Sequence, residues 1–133
     1  MAKVFFVATP IGNLGDISFR AIETLNNADV ILCEDTRHSK ILLDRYEISK
    51  PLKSFHKFNE VKTLDYVCNL VREGKNVAVV SDAGMPCISD PGYLLVQRLI
   101  DEGLDIPLFL VHVHSLLHLC FLALKHLLLL QAF

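Results

Sequence analysis

Asn76-Val77-Ala78-Val79-Val80-Ser81-Asp82-Ala83-Gly84-Met85-Pro86-Cys87-Ile88-Ser89-Asp90-Pro91-Gly92 is the stretch that decides the fold. The four residues after Asn76 are apolar and rich in β-branched side chains, the pattern of a buried strand. Tyr93–Glu102, directly after it, carries apolar residues at helical spacing. The loop between them repeats a small theme, as Ser81-Asp82-Ala83-Gly84 and Ser89-Asp90-Pro91-Gly92. The second copy has a local explanation, with Asp90 as N-cap and Pro91 at the first helical position. The first copy has none. A Gly- and Pro-rich loop at the carboxyl end of a parallel strand is where open α/β sheets bind ligands, the alternative being a rigid connection with no further role.

Working outward, the same unit recurs. Lys3–Ala8 reads as a strand that is apolar from Val4 onward, followed by the turn-rich Thr9–Asp16. Ile17, Ala21, Leu25 and Ala28 lie at helical spacing, with Asp16 as the candidate N-cap. Asp29–Glu34 reads as a second strand, Ser39–Tyr46 as a helix and Pro51–His56 as an extended segment. Val61, Leu64, Cys68 and Val71 mark a further amphipathic helix closed by Gly74, and Gly103 closes the helix after the central loop. Alternation of strand and helix up to Ile106 predicts an α/β domain with a largely parallel sheet flanked by helices. In such a sheet the loops Thr9–Asp16 and Ser81–Gly92 meet at one edge. The first does not match Gly-x-Gly-x-x-Gly, which argues against a dinucleotide.

Composition narrows the class. The chain has 133 residues, 52% hydrophobic, with a net charge of −2, enough for one sizeable core and without a global field for nucleic acid. The window Arg37–Lys62 departs from that average, with seven basic residues against three acidic ones. It reads either as a phosphate-facing surface or as a solvated face. The four cysteines, Cys33, Cys68, Cys87 and Cys120, form no Cys-x-x-Cys pair, so neither a zinc framework nor a disulfide scaffold is expected, and a reducing cytoplasm is. The apolar run after Met1-Ala2-Lys3 is too short for a signal-peptide core.

Two polar clusters stand at strand ends. Glu34, Asp35 and Arg37 form either a helix cap with a surface ion pair or a group that orients a hydroxyl. His56, Asn59 and Glu60 form the second, again structural or functional by sequence alone.

Val7–Leu14, Glu34-Asp35-Thr36-Arg37-His38, His56-x-x-Asn59-Glu60 and Val80–Gly92 together resemble the tetrapyrrole-methylase superfamily. Within it they are most similar to the branch that methylates the ribose 2′-hydroxyl of a cytidine in 16S ribosomal RNA. The resemblance spans four ordered motifs over about 105 residues. It implies the N-terminal domain of the tetrapyrrole-methylase (class III S-adenosylmethionine methyltransferase) fold, S-adenosylmethionine as cofactor, the small ribosomal subunit as substrate and a cytoplasmic homodimer. It implies no metal and no membrane. Carried over residue by residue, Thr9, Pro10, Ile11, Gly12, Asn13, Asp82, Ala83, Gly84, Pro86, Ile88 and Ser89 resemble the cofactor-binding loops. Glu34, Asp35, Arg37, His56, Asn59 and Glu60 resemble the substrate-side cluster. Met85 stands where the family usually has Thr, which removes a hydroxyl from the ligand loop.

After Ile106 the composition changes, giving an expected division into a 1–106 domain and a 107–133 tail unlike the family. Pro107–Phe133 holds eleven leucines and four of the six histidines, with one Lys and no Gly or acidic residue. A membrane span over Leu108–Phe133 has the length but carries four histidines and Lys125. A metal site at His112, His114 and His118 would need three side chains converging on one ion, which neither a regular strand nor a helix provides. A shifted reading frame accounts for more: permitted codons for Leu108–Val113, read two bases later, spell Ile-Pro-Gly-Pro-Cys, a linker of the family's type. On that reading the chain is a truncated and inactive N-terminal domain, with a non-enzymatic fragment or a small-molecule methylase as the alternatives.

Overall fold

A computed structural model describes residues 3–9, 13–56, 59–80, 90–103 and 108–111. The elements are β1 (Val4–Val7), α1 (Phe19–Asn27), β2 (Val30–Cys33), α2 (Thr36–Arg45), β3 (Leu52–Ser54), α3 (Glu60–Arg72), β4 (Val77–Val79), α4 (Asp90–Asp101) and β5 (Leu108–Val111). All strand pairings are parallel, in the order β3-β2-β4-β1-β5.

Strand side chains alternate between two cores. Val4, Phe6, Val30, Leu32, Val77 and Val79 point into a layer built with Val67, Cys68 and Val71 of α3 and Leu95, Val96 and Leu99 of α4. Val7, Ile31, Cys33, Ala78 and Val80 face the other way, onto Ala21 and Leu25 of α1 and Leu43 of α2. Strands covered on both faces have no polar side to show, which is why Val30–Cys33 and Val77–Val79 are buried at every position.

Most expected elements form where the pattern puts them, with three shifts at helix starts. Ser18, not Asp16, caps α1: its hydroxyl accepts from the Ala21 amide at 3.0 Å, whereas Asp16 closes a short 3-10 turn, Leu14–Asp16. Helix α2 begins at Thr36 rather than Ser39 because Asp35 caps it. Helix α4 includes Asp90, so that residue lies inside the first turn instead of before it. The expected glycine ends hold. Gly74 has φ +82° and Gly103 φ +67°, the left-handed geometry that terminates a helix. Glu47 takes the same role after α2 without being glycine, at φ 56°. The Ile48 amide reaches the Leu43 carbonyl at 2.9 Å, and the Glu47 amide reaches that of Asp44 at 3.2 Å.

Helices α3 and α4 are clasped by charge. Glu102 accepts from Arg98 Nε at 2.6 Å and also from Arg72, while Arg98 reaches Asp65 at 2.5 Å. The bond from Arg98 holds the Glu102 carboxyl below its usual range. Burial first, and the Glu102 charge second, push the adjacent Cys68 thiol up.

Leu108–Val111 is paired with β1 from Val4↔Leu108 to Val7↔Val111, so the sheet continues past the compositional break at Ile106. A helical span beginning at Leu108 is thereby excluded, since those four residues are a sheet strand. No helix among the described residues is long and apolar enough to cross a membrane. The rest of the tail, with His112, His114 and His118, lies outside the described residues.

Candidate functional site at the strand ends

In a parallel sheet every strand ends at the same edge, and here β1, β2, β3 and β4 each lead into a motif read from the sequence. The strand order adds a second fact. The connection through α4 leaves β4 over one face, while those through α1 and α2 leave its neighbours β1 and β2 over the other. Adjacent strands whose connections part to opposite faces open a crevice at their carboxyl ends, the usual ligand position in open α/β sheets.

On the β1 side of that crevice, Thr9 is buried just beyond the strand. Asn13 is exposed and uses its side-chain oxygen locally, accepting from the Gly15 amide at 2.8 Å. Pro10, Ile11 and Gly12 lie outside the described residues. So do Asp82, Ala83, Gly84, Met85, Pro86, Ile88 and Ser89, between the described ends of β4 and α4. From Val7 to Asn13 and from Val77 to Val80, no described residue carries a charge.

Beyond β2, Glu34 and Asp35 are both half-buried. Asp35 Oδ1 accepts from the Arg37 amide at 2.9 Å, and the Arg37 guanidinium lies 3.3 Å from both carboxylate oxygens. The helix-cap and ion-pair arrangement is therefore realised. Those bonds from Arg37 hold the Asp35 carboxyl below its usual range. The Arg37 side chain is 91% exposed, so its attraction to Asp35 is largely screened by water.

Beyond β3, the Phe55 amide donates to the Cys33 carbonyl at 2.7 Å, extending the ladder one step past β3 onto the last residue of β2. The register Cys33↔Ser54 then brings the segment around His56 alongside Glu34 and Asp35. Asn59 precedes α3 but makes no capping bond with its side chain. Its Oδ1 accepts from the His56 amide at 2.9 Å, and its Nδ2 donates to the Ser54 carbonyl at 2.9 Å and hydroxyl at 3.0 Å. The backbone of Glu60 opens α3; its side chain lies outside the described residues.

The basic window does not form one face. Arg37 and Lys62, in the first turns of α2 and α3, sit at the strand-end edge, whereas Arg45 and Lys50 belong to the opposite edge. Lys40 is paired with Asp44 at 3.1 Å, and the Lys53 ammonium lies 4.9 Å above the Tyr66 ring. Ser54, Thr63 and Tyr46 were not singled out by the sequence. Only for Ser54 and Thr63 was there a signal, their closeness to the His56–Glu60 motif.

A parallel sheet wrapped on both faces, with motifs following β1 to β4 at one edge, defines an α/β ligand-binding domain. The chain belongs to the tetrapyrrole methylase family: residues 3–125 match the family described as Tetrapyrrole (Corrin/Porphyrin) Methylases. It is 57% identical over 106 residues to Ribosomal RNA small subunit methyltransferase I of Mycoplasmopsis pulmonis, covering 80% of this chain and 48% of that protein. The protein of the same name from Thermotoga maritima is 53% identical over 106 residues, with the same coverage. That from Bacillus subtilis is 48% identical over 103 residues, covering 77% of this chain and 35% of that one. The chain thus spans about half the length of the curated relatives it matches, or less. The fold is shared with uroporphyrin-III-C-methyltransferase from Thermus thermophilus, at TM-score 0.62 and 23% identity over 82% of this chain and 46% of that one.

Proposed function

We propose that this chain carries the N-terminal share of an S-adenosylmethionine-dependent site that methylates the ribose 2′-hydroxyl of a cytidine in 16S ribosomal RNA, in an enzyme that acts as a homodimer in the cytoplasm. The observation behind this reading is the convergence, at one sheet edge, of a crevice between β1 and β4 whose described residues carry no charge with a polar cluster beyond β2 and β3. Relatives named as ribosomal RNA small subunit methyltransferases share that sequence at 46–57% identity.

The crevice fits the cofactor in its chemistry. A nucleoside and a thioether chain call for close backbone approach, hydroxyls and little charge, as offered by buried Thr9 and the ends of β1 and β4. In this reading Thr9–Asn13 and the Asp82–Ser89 loop hold S-adenosylmethionine. When bound, it supplies a methyl group on a sulfonium, already a strong electrophile. The protein's task is then alignment, and a fixed geometry accounts for much of such a rate enhancement. Glu34, Asp35 and Arg37, with His56 and Glu60, orient the ribose, Asn59 acting through the turn that holds His56, while Arg37 and Lys62 meet phosphates at the same edge.

Labelled S-adenosylmethionine and undermethylated 30S subunits test the reading, with cofactor binding followed by calorimetry. Cofactor binding that is lost in Thr9→Val or Asp82→Ala supports it. Tight binding unaffected by either change refutes the assignment of the loops. Label found in ribose makes the chain catalytic as it stands. Cofactor binding without transfer assigns it the N-terminal share of the site, short of catalysis, the outcome expected here.

The break in composition after Ile106 is assigned to a shifted reading frame, with 1–106 as the family's domain and 107–133 as a tail of different origin. Pairing of Leu108–Val111 in the sheet calls for little beyond an apolar extended run, which such a tail supplies by composition. The gene sequence across codons 105–115 decides the matter.

A further inference from the structure

We infer that Ser54, Asn59 and Thr63 are positioning residues that preset the turn between β3 and α3, so that His56 stands beside the Glu34–Asp35 segment before any ligand arrives. The inference rests on the reading of His56 as a substrate-side residue.

Both backbone polar groups of His56 are bound to one residue. Its amide donates to Asn59 Oδ1 at 2.9 Å, and its carbonyl accepts from the Asn59 amide at 3.2 Å. The other half of the same side chain reaches back to the last residue of the strand. Nδ2 donates to the Ser54 carbonyl at 2.9 Å and to the Ser54 hydroxyl at 3.0 Å. The Thr63 hydroxyl, on a residue only 1% exposed, reaches the same Ser54 carbonyl at 3.4 Å from the first turn of α3. Strand end, turn and helix start are thereby joined through one carbonyl and one amide. The strand end is itself fixed to β2 by the bond from Phe55 to Cys33.

Chemistry requires asparagine at this point. The network takes one acceptor and two donors from a short planar group, and only a carboxamide of that length provides them. Aspartate keeps the acceptor, loses both donors and sets a negative charge against the Ser54 carbonyl. Asparagine is also among the best helix N-caps, yet here its side chain forgoes the cap and turns to the strand. A residue that gives up its best local use in order to hold a turn at the candidate site is acting for the site.

The test uses the full chain and reads two quantities: hydrogen exchange of the His56 amide by NMR, and affinity for a fluorescein-labelled RNA fragment of the small-subunit type. Asn59→Asp is expected to speed exchange of that amide at least tenfold and to weaken RNA binding by about tenfold, the scale of a lost buried hydrogen bond. Ser54→Ala and Thr63→Val, milder changes, are expected to give smaller shifts in both. Thr63→Ser, which keeps the hydroxyl, restores them. An unchanged amide with RNA binding lost overturns the inference, because Asn59 would then act on the ligand directly. A faster amide with RNA binding intact in all three variants also overturns it, since the network would be structural only. Should the unaltered chain bind no RNA, the functional reading fails, and with it the positioning role; the exchange data still report whether the network holds the turn.

Discussion

The phenol of Tyr46, at the end of α2, donates a 2.6 Å hydrogen bond to the carbonyl of Leu14 in the 3-10 turn after β1. One half-buried side chain therefore anchors the candidate cofactor loop to the helix that starts at the candidate substrate cluster. Tyr46→Phe keeps the ring and removes the bond. It should cost about 1 kcal/mol of stability, measured by urea denaturation, and speed amide exchange within residues 13–16.

The Schellman-type end of α2 offers a change in the opposite direction. Glu47 stands at φ 56° with no glycine to ease it. Glu47→Gly is expected to stabilise the domain by ~0.5–1 kcal/mol, the left-handed strain removed outweighing the entropy gained by the unfolded chain. Gly74→Ala, at φ +82°, should lose about 1 kcal/mol through strain alone, as no atom lies within 4 Å of the added methyl. Thermal and urea unfolding of both variants check the pair.

The clasp between α3 and α4 sets a pH dependence. The Glu102 carboxyl titrates below its unfolded range because Arg98 and Arg72 hold it ionised. A depressed carboxyl contributes stability that is complete above its unfolded pKa and is lost as pH falls through the folded one. Glu102→Gln should therefore be less stable than the parent at neutral pH, with the difference shrinking towards zero in acid. Urea titrations at several pH values from neutral downwards would falsify the assignment if the difference were constant.

Burial separates two large apolar residues that look alike in sequence. Leu32 is fully buried, and Leu32→Ala should cost about 2–5 kcal/mol. Phe19 is 93% exposed, and Phe19→Ser should alter stability by less than about 0.5 kcal/mol. Equal effects in denaturation experiments would show that the burial of one of the two is misassigned.

The edge strand provides the last contrast. A chain ending after Val111 keeps β5 on β1, whereas one ending at Ile106 leaves the apolar β1 with an open edge. The first should stay monodisperse in size-exclusion chromatography and the second should aggregate. The reverse order would mean that the β1–β5 pairing contributes nothing to solubility.

Much of the fold was legible because strands buried on both faces read as unbroken apolar runs, as in Val4–Val7 and Val30–Cys33. Helix starts were less so. Asp16 and Ser18 are both good caps, and only the path of the chain decides between them. β5 was hidden inside a tail whose leucines carry no alternation or period of their own. At the site, the motifs stood out as clusters of polar residues at strand ends. The use of Asn59 did not, since its partners are set by the fold-back onto Ser54. Nor did the division of the basic window between two edges, because charge along a sequence says nothing about which end of a helix faces which edge.

Placing the last strand beside the first has a consequence for how the domain is made. Residues near the amino terminus leave the ribosome early, yet β1 gains its outer neighbour only when 108–111 has been synthesised. Until then the edge of β1 is open to any other extended chain. The nascent domain thus keeps one edge of β1 open until late in translation, when nearly all of its core has already been made. Any change to the reading frame just before those codons alters the strand that ends that exposure.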